Sequence, residues 1–284
     1  MTTSSTLRWF ITGVSSGLGR ALAAAALARG DQVTGTVRSD AARLAFAGIA
    51  PGRSTARLLD ITDEEAIRAT IAATEADGGI DILVNNAGYG LVAGVEEANL
   101  AEIRAQFEVN VFGTLAVIQS VLPFMRARRR GRIINISSVS GLVGWPSLGV
   151  YSGSKFALEG ISETLALEVE PFGIHVMLVE PGGFRTEFAT GSRVESARQI
   201  DDYDATVGAC RRILATHAGH EPGDPAKAAQ AILTLADTPN PPLRLLLGRD
   251  AITYATQKSA AQCAEQAVWT AVSLATDFVA PDPG

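Results

Sequence analysis

Cysteine is nearly absent from this chain. The two among 284 residues, Cys210 and Cys263, stand in no paired or metal-ligand spacing. A disulfide framework and a cysteine-built metal site are therefore excluded, and reduced thiols in a cytoplasmic protein are the expectation. An excess of positive charge is lacking too. With 24 Lys and Arg against 30 Asp and Glu, the net charge of −6 gives no reason to expect nucleic acid or another polyanion as partner. The opening MTTSSTLRWF has no apolar signal core, and no run approaches the roughly 18 apolar residues of a membrane span. Internal repeats and low-complexity linkers are missing, and Ala-rich stretches such as Ala21 to Ala28 are good helix formers. What is present is a 47% hydrophobic chain, enough for one large α/β domain with a sizeable core.

Strands alternate with helices along the whole length, which implies a doubly wound parallel sheet. The expected strands are Leu7 to Thr12, Gln32 to Val37, Thr55 to Leu59, Ile80 to Val84, Ile133 to Ile136, Ile174 to Val179 and Leu243 to Leu247. The first runs into Gly13-Val14-Ser15-Ser16-Gly17-Leu18-Gly19 and then a helix to about Arg29. A glycine-rich turn between a strand and a helix N-terminus cradles a pyrophosphate, because backbone N–H groups and the helix dipole face the anion. The spacing is G-x-x-x-G-x-G rather than G-x-G-x-x-G. Such turns also serve tight packing, but placement after the first strand points to a dinucleotide. The second strand ends at Val37-Arg38, where an acidic residue would bind a ribose 2′-hydroxyl and an arginine suits a 2′-phosphate. NADP(H) is thus expected over NAD(H), the alternative being a solvated loop arginine.

Strand three delivers Asp60, and Thr62-Asp63 then opens a helix with capping chemistry. Strand four runs into Asn85-Asn86-Ala87-Gly88, an odd choice for packing that suggests hydrogen bonds fixing backbone beside the cofactor. A long helix over about 100–128 carries Asn110 mid-way, either an exposed polar site or a post facing an active site. Its basic end, Arg126 to Arg130, is most simply a solvated C-terminus that complements the dipole and is stopped by Gly131.

The fifth strand ends at Ser137-Ser138, and after a Gly/Pro loop the pattern turns helical from Tyr151 to about Glu170. Tyr151 and Lys155, four apart, share a helix face. A phenol beside an ammonium suits acid–base chemistry. A charge roughly 5 Å away at an effective dielectric of about 20 favours the phenolate by about 3 kcal/mol, or roughly two pKa units. Tyr and Lys at this spacing are also common on solvated faces. Ser138, at the strand end where open sheets place ligands, favours the functional reading. The sixth strand ends in Glu180-Pro181-Gly182-Gly183-Phe184-Arg185-Thr186. Residues 187–223 have the length and weak apolar period of a lid, with a helix around 203–216. Asp224-Pro225 opens another helix, and 249–284 read as a helical extension ending near Phe278.

From Leu7 to about Gly248 the chain resembles the short-chain dehydrogenase/reductase family, in its short-form branch. The matching motifs are Thr12-Gly13-x-x-x-Gly17-x-Gly19, Asn85-Asn86-Ala87-Gly88, Asn110, Ser138, Tyr151-x-x-x-Lys155 and Pro181-Gly182 with Thr186. The resemblance implies a single Rossmann domain over 1–284, with a seven-stranded parallel sheet covered by helices on both faces. It implies hydride transfer between NADP(H) and a carbonyl or secondary alcohol. Tyr151 would be the general acid or base, Lys155 would tune it and hold the nicotinamide ribose, Ser138 would orient the substrate oxygen and Asn110 would anchor a water relay. Gly13, Ser15, Ser16, Gly17, Leu18 and Gly19 would form the phosphate shell, with Arg38 on the 2′-phosphate and Asp60 and Ile61 near the adenine. Asn86, Ala87, Gly88, Pro181, Gly182, Phe184 and Thr186 would line the ribose and carboxamide. Val143, Trp145, Leu148, Phe184 and Phe188 would line an apolar substrate pocket, consistent with a hydrophobic ketone or aldehyde and equally with an ordinary buried loop. The family usually associates through its two long helices, here 100–128 and 151–170, so a homodimer or homotetramer is possible. A catalytically silent NADP(H) sensor is the alternative; the intact Asn110, Ser138, Tyr151 and Lys155 set argues against it.

Overall fold

The computed structural model describes residues 6–187 and 191–278. Phe188 therefore lies outside the described residues. Short apolar runs rich in Ile, Val and Leu become β1 (Arg8–Ile11), β2 (Gln32–Val37), β3 (Ser54–Leu58) and β4 (Ile82–Asn85). The helices between them are α1 (Gly17–Ala28), α2 (Asp40–Ala47) and α3 (Glu64–Ala76). Side chains of Ser39 and Asp63 cap α2 and α3. After β5 (Gly90–Val92) come α4 (Leu100–Phe107), α5 (Thr114–Arg128), β6 (Gly131–Ile136), α6 (Gly149–Val169) and β7 (Ile174–Pro181). The chain finishes with β8 (Arg193–Glu195), α7 (Ala209–His217), α8 (Pro225–Asp237), β9 (Arg244–Leu247) and α9 (Arg249–Leu274).

Seven of these strands form one parallel sheet in the order β3-β2-β1-β4-β6-β7-β9. Parallel sheets are covered on both faces, which is why the strands read as near-continuous apolar runs. On one face Leu22, Ala26, Phe46, Ile232 and Ala236 pack against β-strand residues such as Ile11 and Val84. On the other, Ile67, Ile71, Val117, Val121 and Leu165 cover Phe10, Leu83 and Ile133. The order reverses between β1 and β4, so the crevice beyond their C-terminal ends is the natural ligand site.

Four departures from the sequence reading have structural causes. The helix expected over 100–128 is interrupted by a π-helical turn, Glu108–Gly113. This whole stretch is apolar enough to cross a membrane, with mean hydropathy 1.4 in its most apolar part. Here Val117, Ile118, Val121 and Met125 belong to the core instead. Its stop is not Gly131: Arg129 itself takes the left-handed conformation, φ 55°, and Gly131 opens β6 where a Cβ would strike Met125. The basic cluster is largely consumed locally. Arg128 binds Glu75 and the Ile80 carbonyl, and Arg129 lies 5.0 Å over the Phe172 ring. Finally, within the expected lid, residues 191–223 are stitched to the body, because β8 pairs with β5 as a separate two-stranded sheet. Buried Glu97 accepts Gly94 N–H and Ile200 N–H and pairs with Arg211 at 2.5 Å.

Candidate active site

The crevice is built from strand ends. Thr12, just after β1, ties its end to that of β4. Its hydroxyl donates to Val84 O and accepts from the N–H groups of Asn86 and Ala87. The Asn86 amide donates in turn to Thr12 O and Gly13 O. Gly13 has φ +73°, a conformation that favours glycine. A Cβ on Gly19 would lie 2.3 Å from Asn86 Nδ2 and 2.4 Å from Gly13 O, so α1 approaches this loop only because the residue is glycine. The second asparagine acts differently from its neighbour. Asn85 donates to Asn135, which donates to Ser162, forming a buried polar chain beneath the sheet's end.

Ser16 occupies the N-cap position of α1 without a side-chain cap bond, leaving N–H groups of the first turn for an acceptor. The acceptor at Gly17 N–H is the Glu187 carboxylate, at 2.9 Å. An anionic oxygen thus already sits where a phosphate oxygen would, which fits a pyrophosphate to this turn. Arg38 stands exposed after β2, near Asp60 after β3. The Asp60 carboxyl is held below its ordinary range first by hydrogen bonds from Thr62, with the Arg38 charge adding to them. Ile61 is buried, and its carbonyl lies against Gly113 of the π turn.

The other wall holds Ser138, Tyr151, Lys155 and Asn110, all under 10% exposed. Ser138 accepts from Ser140 N–H and is hydrogen-bonded to the Tyr151 phenol. The Lys155 ammonium donates to Ile136 O at 2.8 Å and lies 5.9 Å from the Tyr151 ring centroid. Burial pushes the phenol up to about 12, opposed by the Ser138 hydrogen bond, and pulls Lys155 down to about 8, opposed by the Glu159 charge. This corrects the expected two-unit fall in the phenol. Desolvation outweighs the ammonium, which is aimed at a carbonyl.

Asn110 sits on the π turn, a geometry that often marks functional sites. Its Oδ1 accepts Tyr89 N–H, and its Nδ2 donates to Tyr89 O and Ser154 Oγ. Ser154 donates to Tyr151 O, so Asn110 locks α6 one residue before Lys155. Gly88 keeps a gap open here: a Cβ on it would lie 3.1 Å from Asn110 Oδ1 and 3.9 Å from Lys155 Nζ. Gln106, fully buried, repeats the clamp through Leu91 N–H and Tyr89 O.

Pro181 and Gly182 end β7 at the same crevice, with Gly182 N–H on Leu247 O and Gly183 N–H on Asp250. Thr186 donates to Phe184 O. The Phe184 ring packs against the core and Gly223. Val143, Trp145 and Leu148 are half-buried on the loop before α6, and Trp145 meets Tyr254 of α9 edge-on at 4.6 Å.

The sequence reading missed Ser154, Gln106, Asp250, Glu187 and the acid pair Glu159–Glu180 behind Lys155. Both acids are buried. Arg244 lies 3.0 Å from Glu159 and 3.4 Å from Glu180. Burial first, and the Glu159 charge second, raise Glu180 to about 8. The Lys155–Glu159 spacing of one helix turn was the available signal. Glu180 gave none, since its neighbours come from distant strands.

Comparison with known proteins gives a consistent picture. Residues 8–197 match the family model described as short chain dehydrogenase. The oxidoreductase BOA17 of Botryotinia fuckeliana is 39% identical over 270 residues, covering 94% of this chain and 98% of that protein. The crystal structure of a short-chain dehydrogenase from Streptomyces avermitilis superposes with a TM-score of 0.91 at 43% identity, covering 97% of this chain and 100% of that one. A short-chain dehydrogenase from Burkholderia cenocepacia, solved in complex with NADP, gives 0.72 at 26% identity over 92% and 96% of the two chains.

Proposed function

The chain belongs to the short-chain dehydrogenase/reductase family of oxidoreductases, and from that membership we propose that it moves a hydride between NADP(H) and a carbonyl or secondary alcohol. The observation that carries this is the buried Ser138–Tyr151–Lys155 group, with Lys155 beside Gly88 of the turn whose Asn86 is hydrogen-bonded to Gly13 of the glycine loop. The cofactor supplies the hydride when bound. The chain supplies position and a proton. Gly13 to Gly19 and the open first turn of α1 face the pyrophosphate, and Arg38 faces the 2′-phosphate. Ser138 orients the substrate oxygen and Tyr151 donates to it. With its pKa near 12 the phenol is in its acid form at neutral pH, the form that carbonyl reduction requires. Lys155 holds the ribose and its charge compensates the phenolate left behind. Asn110 acts as a clamp on α6, and any water between it and Lys155 occupies the gap that Gly88 leaves. The half-buried Val143, Trp145 and Leu148 suit an apolar ketone or aldehyde.

A panel of hydrophobic ketones and aldehydes with NADPH tests the reading by the fall in NADPH absorbance. Tyr151→Phe should lower turnover by about 10²–10⁴-fold or more while leaving NADPH binding nearly intact. A variant retaining more than about a tenth of the parent rate removes the phenol from the chemistry. NADPH binding with no turnover on any substrate of the panel would favour the sensor.

A further inference from the structure

Helix α9 leaves the body almost at once. It runs for 26 residues, about 39 Å at 1.5 Å per residue. Only Ala251 is buried, and from Thr256 onward every described residue is exposed. The outer half is not polar: Val268 is 78% exposed, Val272 58% and Leu274 64%. Exposed apolar surface of this extent marks an interaction site.

Its pattern says what fits. Tyr254, Ala261, Ala264, Val268, Ala271 and Ala275, with Gln257 completing the series, recur at alternating steps of three and four. That is the spacing of a two-helix coiled-coil seam, here occupied mostly by small side chains that permit close approach, with Trp269, Val272 and Leu274 beside it. Lys258, Glu265 and Val272 stand seven apart on one flank of the seam. In an antiparallel pair of identical helices, like flanking positions face each other. Lys258 then meets Glu265 of the partner subunit, and the reciprocal pair forms by symmetry. The helix carries Arg249, Asp250, Lys258 and Glu265, a balance of zero that sets up no self-repulsion.

We propose that α9 is an exchange arm that docks antiparallel on α9 of a second copy of this chain. In this register Ala261 packs against the partner's Ala264, and Tyr254 against the partner's Ala271, large against small. Leu274 of the partner subunit arrives level with Ala251, where the helix leaves the body, so the arm's length matches its span. Because Tyr254 also touches Trp145, the pairing buttresses the loop before α6 from outside. This surface is separate from α5 and α6, and the proposal does not depend on the reaction assigned above.

The test is the solution mass by light scattering, with far-UV circular dichroism as the folding control. The changed residues are exposed, so the fold should persist. The double variant Val268→Asp/Val272→Asp should have half the mass of the wild-type chain, because the proposal has α9 join copies that no contact of the body holds together. Lys258→Glu should weaken association at low salt, and Lys258→Glu/Glu265→Lys should restore it. Equal masses for the wild type and the Val268/Val272 variant, or a wild-type chain that stays monomeric up to its solubility, would overturn the proposal. Failure of the charge swap to restore association would overturn the antiparallel register.

Discussion

At the residue scale, the environment of Lys155 decides its charge. Buried beside Ile136 O, it has a pKa depressed to about 8. The ammonium is favoured below that value and lost as pH rises through it. Ketone reduction should therefore decline above about pH 8, measured as kcat/KM, which reports the free enzyme's groups. Lys155→Arg, which stays charged, should remove that limb from any activity it keeps; an unmoved limb would assign it elsewhere. Arg38 poses a simpler question. It stands exposed near Asp60, where the proposed reading puts a 2′-phosphate. A hydrogen bond to a charged group contributes about 1.5–3 kcal/mol, so Arg38→Ala should weaken NADPH roughly tenfold to over a hundredfold and leave NADH nearly unchanged. Equal loss for both cofactors, read by titration calorimetry, would remove it from coenzyme choice.

At the element scale, the open first turn of α1 and the segment after β7 compete for the same N–H. Glu187 accepts from Gly17, and on the proposed reading it withdraws before the cofactor's phosphate takes its place. A charge at a helix N-terminus is worth about 0.3–1 kcal/mol, so Glu187→Gln should tighten NADPH about twofold to fivefold. Unchanged or weaker binding would show that the carboxylate does not compete. The π turn inside the 100–128 stretch illustrates a different limit of sequence reading. Asn110 was visible as an awkward helix residue, but the turn that aims it depends on Tyr89, Ser154 and Ile61, each from another element.

At the scale of the whole molecule, the sheet buries charge where β7 meets β9 and α6. Glu180, raised to about 8 from an ordinary 4.5, holds its proton when folded across a range in which the unfolded chain has released it. Stability is consequently lost as pH rises from about 4.5 to about 8, with the charged Arg244 limiting the loss. Lys155 acts with the opposite sign in a different window. Its buried charge costs stability below about pH 8, and that cost is relieved between about 8 and 10.5. Thermal melts of Glu180→Gln against wild type should show the variant gaining relative stability from pH 5 to pH 8. A difference independent of pH would mean that Glu180 does not titrate in the folded chain.

Most of what depends on near neighbours along the chain was determined by the sequence itself, the helix stop at Arg129 being an exception. The seven strands follow from short apolar runs bounded by turns. The glycine turn opening α1 follows from Gly13, Gly17 and Gly19, and the Tyr151–Lys155 face follows from helical spacing. Only tertiary structure decided what distant elements impose on one another. It turned the expected fall in the Tyr151 pKa into a rise, because desolvation in the packed crevice exceeds the effect of an ammonium bonded to Ile136. It paired β5 with β8 across a hundred residues and set Glu97 on Arg211. It also placed Glu180 beside Glu159 and Arg244. Burial and charge proximity are properties of the packed chain, and no spacing in the sequence encodes them.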